Sequence, residues 1–260
     1  MTLAGVWKNE YGSQMTLSVS GNLVTGTYES TTGSTGKYCV IGWQTSADPT
    51  TSVGQAATLA IEWHSIVSGP PDDSWHWVSG LSGQLSIQDG AEQLVLSHAL
   101  VASIDFPGLA PAGTYIDKLI YTRSSAEAPG ATALPEPKDA ATDPLVGSWY
   151  ASDGTALLIS SVVPYTGNAF GYVMGKLIWN GGPSLLYGVT DINAAPDGLA
   201  LQSVAVAGLP SDAGGPAISL AGTLDLASGI LTLLDQNSVS TAPDATYVET
   251  NISCKMFKRS

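Results

Sequence analysis

The sequence predicts an all-β chain written as two copies of one unit, and three observations carry that prediction. Short runs that alternate apolar and polar residues, such as Met15-Thr16-Leu17-Ser18-Val19, recur along the chain. Alternation sends successive side chains to opposite faces of a strand, whereas apolar stripes of helical period and length are hard to find. Turn formers separate the runs, among them Ser20-Gly21-Asn22, Gly33-Ser34 and Asp89-Gly90. Their spacing of about 10 to 15 residues is that of a meander of strands. The third observation is repetition. Leu3-Ala4-Gly5-Val6-Trp7 returns as Leu145-Val146-Gly147-Ser148-Trp149, and Glu10-Tyr11-Gly12-Ser13 as Ser152-Asp153-Gly154-Thr155. Gly26-Thr27-Tyr28 answers Phe170-Gly171-Tyr172, Ser82-Gly83-Gln84-Leu85 answers Ala221-Gly222-Thr223-Leu224, and Thr114-Tyr115-Ile116-Asp117 answers Thr246-Tyr247-Val248-Glu249. The order is kept throughout, as a duplication requires.

The units are assigned to residues 1–123 and 145–260. Between them, residues 124–144 lose the alternation and become rich in Pro, Ala and acids, which reads as an extended linker. Of the 260 residues, 12% are charged and 44% hydrophobic, a balance that supports a buried core and not a disordered chain. A net charge of −13, with only 9 basic residues, argues against nucleic acid and against anionic membranes as partners. No apolar run is long enough for a spanning helix. The first residues lack a basic stretch followed by an apolar one, so no leader is visible and a cytoplasmic location is favoured. Cys39 and Cys254 have no metal-ligand spacing and are expected as two buried free thiols, with a single disulfide left open.

The two copies are unequal. The first holds five of the seven tryptophans (7, 43, 63, 75 and 77) and all three histidines, while the second is rich in Leu, Ala and Val. Large aromatic side chains suit a ligand pocket, so activity is expected mainly in the first half. There, Asn9, Tyr11 and Ser13 are read as one face of a strand, and Tyr28, Ser30 and Thr32 as one face of the next. So many polar tips inside a barrel are costly unless they meet a ligand or water. His64, His76 and His98 alternate outward on this register, which makes them surface or interface residues and leaves no metal site. Asp72-Asp73 sits in a Pro-Gly turn and is explained by turn chemistry. No nucleophile elbow, zinc-protease, phosphate-loop or dinucleotide motif is present, so no cofactor is expected and any catalytic residue stays unknown.

Gly5-Val6-Trp7-Lys8-Asn9-Glu10-Tyr11-Gly12-Ser13 and Gly26-Thr27-Tyr28-Glu29-Ser30 open the first half in that order, and they resemble the first and second strands of the avidin and streptavidin family of biotin-binding proteins. Leu59-Ala60-Ile61-Glu62-Trp63-His64, Ser82-Gly83-Gln84 and Asp117-Lys118-Leu119-Ile120-Tyr121-Thr122-Arg123 are similar to later strands in the same order. The resemblance implies two tandem eight-stranded antiparallel up-and-down β-barrels with a ligand in an open mouth. It implies that Asn9, Ser13 and Tyr28 bind a ureido oxygen, that Ser30 accepts a ureido N–H, and that Ser79 faces the ligand sulfur. Trp63 would form one wall of an apolar clamp, with residues 31–37 as a loop over the ligand.

The departures are as informative. The family's acceptor for the second ureido N–H is replaced by Leu119, with Asp117 the nearest carboxylate on that face, and a second clamp tryptophan by Ala99. Trp75 and Trp77 are read as new inward bulk, so the pocket is reshaped and biotin affinity lowered. The second copy would present Ala151, Thr155, Tyr172 and Met174 at the polar positions and Val206 at that of Trp63. It is therefore read as a degenerate barrel that pairs intramolecularly with the first, with a homodimer of the whole chain left open. Three functions follow: a binder of biotin or a biotin-like carbonyl compound, a cofactor-free cyclase or isomerase shaped by Trp63, Trp75 and Trp77, or a sealed scaffold.

Overall fold

A computed structural model describes every residue except 1, 32–33, 68, 129, 131–133, 135–142, 166–168, 180–181, 209–215 and 243–249. Most of the 124–144 linker, Thr32 and the proposed repeat at 246–249 thus lie outside the described residues. Strands β1 (Gly5–Asn9), β2 (Gln14–Ser20), β3 (Leu23–Ser30), β4 (Gly36–Gln44), β5 (Gln55–Glu62), β6 (Val78–Gln88), β7 (Ala91–Ala102) and β8 (Gly113–Ser125) close into one barrel. A second barrel is made by β9 (Gly147–Ala151), β10 (Ala156–Pro164), β11 (Gly171–Trp179), β12 (Gly182–Thr190), β13 (Leu201–Gly208), β14 (Ala217–Asp225), β15 (Ile230–Ser238) and β16 (Thr250–Arg259). All pairings are antiparallel between sequence neighbours, and β8 and β16 return to β1 and β9. The Asp89-Gly90 turn has φ of 51° and 77°, the left-handed pair that a tight hairpin between right-twisted strands requires.

Each barrel is plugged at one end by its opening tryptophan. Trp7 and Trp149 are buried, and their Nε1–H groups donate to the carbonyls of Leu3 and Leu145, both at 2.8 Å. The guanidinium of Arg123 lies 4.2 Å from the Trp7 ring and that of Arg259 lies 4.8 Å from the Trp149 ring. Sequence repetition here becomes repeated packing: an apolar plug, one satisfied indole N–H and one cation over the ring.

Alternation of burial breaks down on β5, which is buried at every residue, and nearly so on β6, β13 and β14. The reason is that the barrels pack on each other through these strands. Their outward side chains are small: Ala56, Thr58 and Ala60 on β5, Gly80 and Ser82 on β6, Ala205 and Ala207 on β13, Ser219 and Ala221 on β14. A Cβ on Gly80 would lie 2.6 Å from Ser219 Oγ and 2.7 Å from Ala221 Cβ, so only glycine permits this approach. Trp43 stacks on Tyr187 at 5.1 Å and donates to the Ala207 carbonyl at 3.0 Å. Ser82 Oγ donates in this seam at 3.2 Å to the Ala217 carbonyl or at 2.8 Å to Ser238 Oγ. Cys39 is free and buried against the Tyr172 hydroxyl, whereas Cys254 is free but exposed on β16, contrary to the expectation of two buried thiols.

The seam also holds ionisable groups. His76 Nδ1 meets the buried Asp191 carboxylate at 2.7 Å, its Nε2 lies 3.9 Å from Asp197, and Ser103 and Ser203 both donate to the His76 carbonyl. The hydrogen bond to Asp191, helped by Asp197 and Asp73, raises the His76 pKa above its ordinary value. Glu62, buried beside Asp191, has its carboxyl raised well above the usual range by desolvation, while burial lowers the His64 pKa. A histidine raised by a partner stabilises fully below its unfolded pKa and loses that stabilisation as pH climbs through the folded one. A carboxyl raised by burial adds a cost in the same direction, and His64 adds an opposite cost on the acid side. Melting temperature is therefore expected to fall as pH rises from about 6.5 upward, and the fall should shrink in His76→Asn. An unchanged slope in that variant would show that the seam does not titrate through His76.

Candidate functional site

The polar end of the first barrel is assembled from strand ends. β1 stops at Asn9, and residues 10–13 form a turn instead of continuing the strand. Asn9 Oδ1 holds that turn by accepting the backbone N–H of Tyr11 at 3.1 Å and of Ser13 at 2.9 Å. With its oxygen so occupied, the Asn9 amide has its N–H donors left for the interior. The turn also corrects the reading of Tyr11, which is 54% exposed and stays outside the barrel. Ser13 is fully buried; its Oγ accepts the Thr31 N–H at 3.3 Å and, with Thr31 Oγ1 donating to the Tyr11 carbonyl, has its own hydrogen for Thr31 Oγ1 at 3.5 Å or for the interior.

Tyr28 on β3 pairs across Met15, and its hydroxyl lies against Ser13, Tyr121 and Asn9. Tyr121, opposite Asn9 on β8, brings a buried hydroxyl that makes no hydrogen bond of normal geometry. Burial pushes both phenols upward in pKa, so they are neutral donors throughout the physiological range. Ser30 ends the same face of β3, also buried. Asn9, Ser13, Tyr28 and Tyr121 thus converge as four neutral hydrogen-bonding groups, the set needed to polarise one carbonyl oxygen. Tyr121 was missed as a site residue; its signal was parity, two residues beyond Leu119 on the inward face of β8.

Above this cluster the lining is aromatic. Trp63 meets Tyr28 edge-on at 5.8 Å and Tyr38 at 4.8 Å, and its Nε1–H donates to Ser79 Oγ at 2.8 Å. Ser79 Oγ also lies 2.8 Å from His98 Nε2. His98 sits opposite Leu81 on the inward face of β7, so the expectation of an outward His98 and an inward Ala99 is reversed by the register. Burial pushes the His98 pKa down to about 4, so the ring is neutral near pH 7. An indole only donates, and Ser79 has one hydrogen to pass on. The chain of bonds therefore runs from Trp63 through Ser79 to His98 Nε2.

A second chain closes the rim. Ser74 Oγ donates to Asp72 at 2.5 Å, which obliges Ser34 to donate to Ser74 at 2.8 Å and Tyr38 to donate to Ser34 at 2.9 Å. Asp72 also accepts the Ser74 N–H at 2.9 Å and so caps a 3₁₀ turn, Asp73–His76. That turn carries Trp75 away from the pocket, onto His64 at a ring distance of 3.8 Å, so only Trp77 of the pair faces the mouth. Trp63, Trp77, Leu100, Leu109, Ala110, Tyr115 and Ser34 line a cavity of about 350 Å³. Leu119 is buried on the inward face below, and Asp117, opposite His98, is exposed. Among the described residues, no three His, Cys, Asp or Glu side chains converge as a metal centre would require.

A model of the avidin family matches residues 1–105. Over those residues, the greater part of the first barrel, the chain is similar to the avidin family. The solved structures that match include the crystal structure of Xenavidin, at 20% identity and a TM-score of 0.37, over 47% of this chain and 96% of that one. The curated proteins contain no match. The matched residues include Asn9, Ser13 and Tyr28 of the donor cluster and Trp63 and Trp77 of the cavity lining.

The second barrel departs further from the avidin-like pattern than its sequence suggested. Trp149 pairs with Leu157 and Leu157 with Leu177, so Leu177 occupies the place of Tyr28. Tyr172 and Met174 point outward into the seam between barrels: with Leu157 paired to Leu177 and Ile159 to Gly175, the inward positions of β11 are Leu177, Gly175 and Val173, so the repeat alignment of Tyr172 with Tyr28 falls on the wrong face. Val206 stands where Leu59 does, not Trp63.

Proposed function

We propose that the first barrel binds biotin or a biotin-like carbonyl compound, with lower affinity than a typical avidin. The convergence of Asn9, Ser13, Tyr28 and Tyr121 below an apolar cavity carries the reading. A ureido oxygen placed among these groups would receive several neutral hydrogen bonds in a dry site, where each is stronger than in water. The ring or chain of the ligand would then lie against Trp63 and Trp77.

Two features support the reduced affinity. Buried Leu119 offers no acceptor to a second N–H, and an unsatisfied donor costs about 1–3 kcal/mol. His98, occupied with Ser79, gives a smaller and more polar wall than a tryptophan. Calorimetry with biotin tests the reading: binding is expected, and Tyr28→Phe should weaken it by about tenfold. Absence of heat at about millimolar biotin would reject biotin itself. An unchanged dissociation constant in Tyr28→Phe would reject the role of the donor cluster.

A further inference from the structure

The mouth of the second barrel holds charge where that of the first holds none. Counting along the paired strands, Asp235 takes the place of His98 and Lys255 that of Leu119, while Asp153 lies in the turn that corresponds to Tyr11. Lys255 Nζ bonds Asp153, lies 3.4 Å from Asp235 Oδ2 and reaches Thr155 Oγ1 at 3.4 Å. The side chains of Lys255 and Asp235 are 18% and 8% exposed. Asn237 Nδ2 donates to the other Asp235 oxygen at 2.5 Å. Two carboxylates thus face one ammonium: Asp235 is sheltered, where a charge is costly to leave unmatched, while the Asp153 side chain is 49% exposed at the outer edge of the cluster.

Four strands away around the eight, and so across the barrel, stand Trp179 on β11 and Ser184 on β12. Both face inward, on the side of Leu177. Trp179 Nε1 and Ser184 Oγ are buried without hydrogen-bond partners, and Ser184 is only 5% exposed. Native interiors rarely leave such donors unmet. Between the two walls the strands contribute Ala151 and Gly208, the places that Asn9 and Ile61 fill in the first barrel. Leu177 and Ser184 Oγ lie against Gly208, and the lining below is apolar, with Leu177, Ile218 and Leu220.

We propose that the second barrel is a ligand site in its own right, for a small organic cation that also carries a carbonyl or hydroxyl oxygen. The ammonium or guanidinium end joins the Asp235–Asp153 side and neutralises its surplus charge. The oxygen end accepts from Trp179 Nε1–H and Ser184 Oγ–H on the opposite wall. The burial that lifts the Asp235 carboxyl is relieved when a cation arrives, while Lys255 already holds Asp153 ionised, its pKa lowered to about 2. The site differs in chemistry from the neutral donor cluster of the first barrel and stands whether or not that barrel takes biotin.

The test uses the full chain with isotope-labelled tryptophan indoles and 5-aminopentanamide as the probe. The Trp179 resonance is identified by its loss in Trp179→Phe. It is expected to move saturably with the probe, while the Trp63 and Trp77 resonances stay in place. The same amide with its amine acetylated should bind at least about tenfold more weakly, as should the free probe to Asp235→Asn. A Trp179 signal that stays fixed up to about 10 mM probe overturns the proposal. So does equal binding of the acetylated compound, which needs no variant and therefore does not depend on how Asp235→Asn folds.

Discussion

Alanine at Trp7 or at Trp149 is expected to destabilise its barrel by about 3–5 kcal/mol, the range for emptying a large aromatic from a packed core. Each indole is fully enclosed, spends its N–H on a carbonyl four residues earlier, and supports an arginine across its face. Truncation removes all three contacts at once and strands a buried carbonyl. Chemical denaturation of the full chain measures the loss. Phenylalanine at either site should recover more than half of that loss, because most of the effect is filled volume and not the hydrogen bond. A loss below about 1 kcal/mol at either position would mean that the plug collapses around the gap.

Trp63→Ala is expected to produce the largest change in binding, about 3 kcal/mol or roughly a hundredfold in Kd. This side chain forms a wall of the 350 Å³ cavity, packs on Tyr28 and Tyr38, and holds Ser79 through its N–H. Its loss also releases Ser79, so the hydrogen-bonding chain to His98 reorganises. Trp75→Ala is the matched control. Trp75 stacks on His64 outside the cavity and should alter Kd by less than about threefold. Titration of both variants with biotin decides the matter: equal losses would mean that the aromatic content matters for stability and not for the pocket.

The all-β class and the tandem barrels were legible because alternation and turn residues are local, period-two signals, and the Gly-x-Trp openings repeat. Asn9, Ser13, Tyr28 and Ser30 were legible for a different reason: they sit on the two strands whose resemblance is densest. Tyr11 and Trp75 were misplaced by the same cause. Alternation was carried past the strand end, where an Asx turn at Asn9 and a 3₁₀ turn capped by Asp72 redirect the chain. His98 was misplaced because Ala99 was set at the place of the family's second clamp tryptophan, although the two-residue Asp89-Gly90 hairpin pairs Leu81 with His98; a slip of one residue flips the whole strand. Tyr172 and Met174 were misplaced because Tyr172 was aligned with Tyr28, whose place Leu177 takes in the pairing. The seam between barrels left only a faint signal, the small residues at every second position of β5, β6, β13 and β14.

Gly80 and Ser219 occupy corresponding places in the two repeats, as Ser82 and Ala221 do, and Gly80 meets Ser219 and Ala221 across the seam. The barrels are therefore related by an approximate two-fold axis passing close to this contact. In a true homodimer every residue near such an axis must fit its own twin, and any substitution arrives twice. Joining the copies in one chain removes that restriction. Glycine can face serine, and Ser82 can donate to the opposite barrel while its counterpart Ala221 donates nothing. Each face is then free to change without its mirror image, and the two pockets inherit the same freedom to diverge.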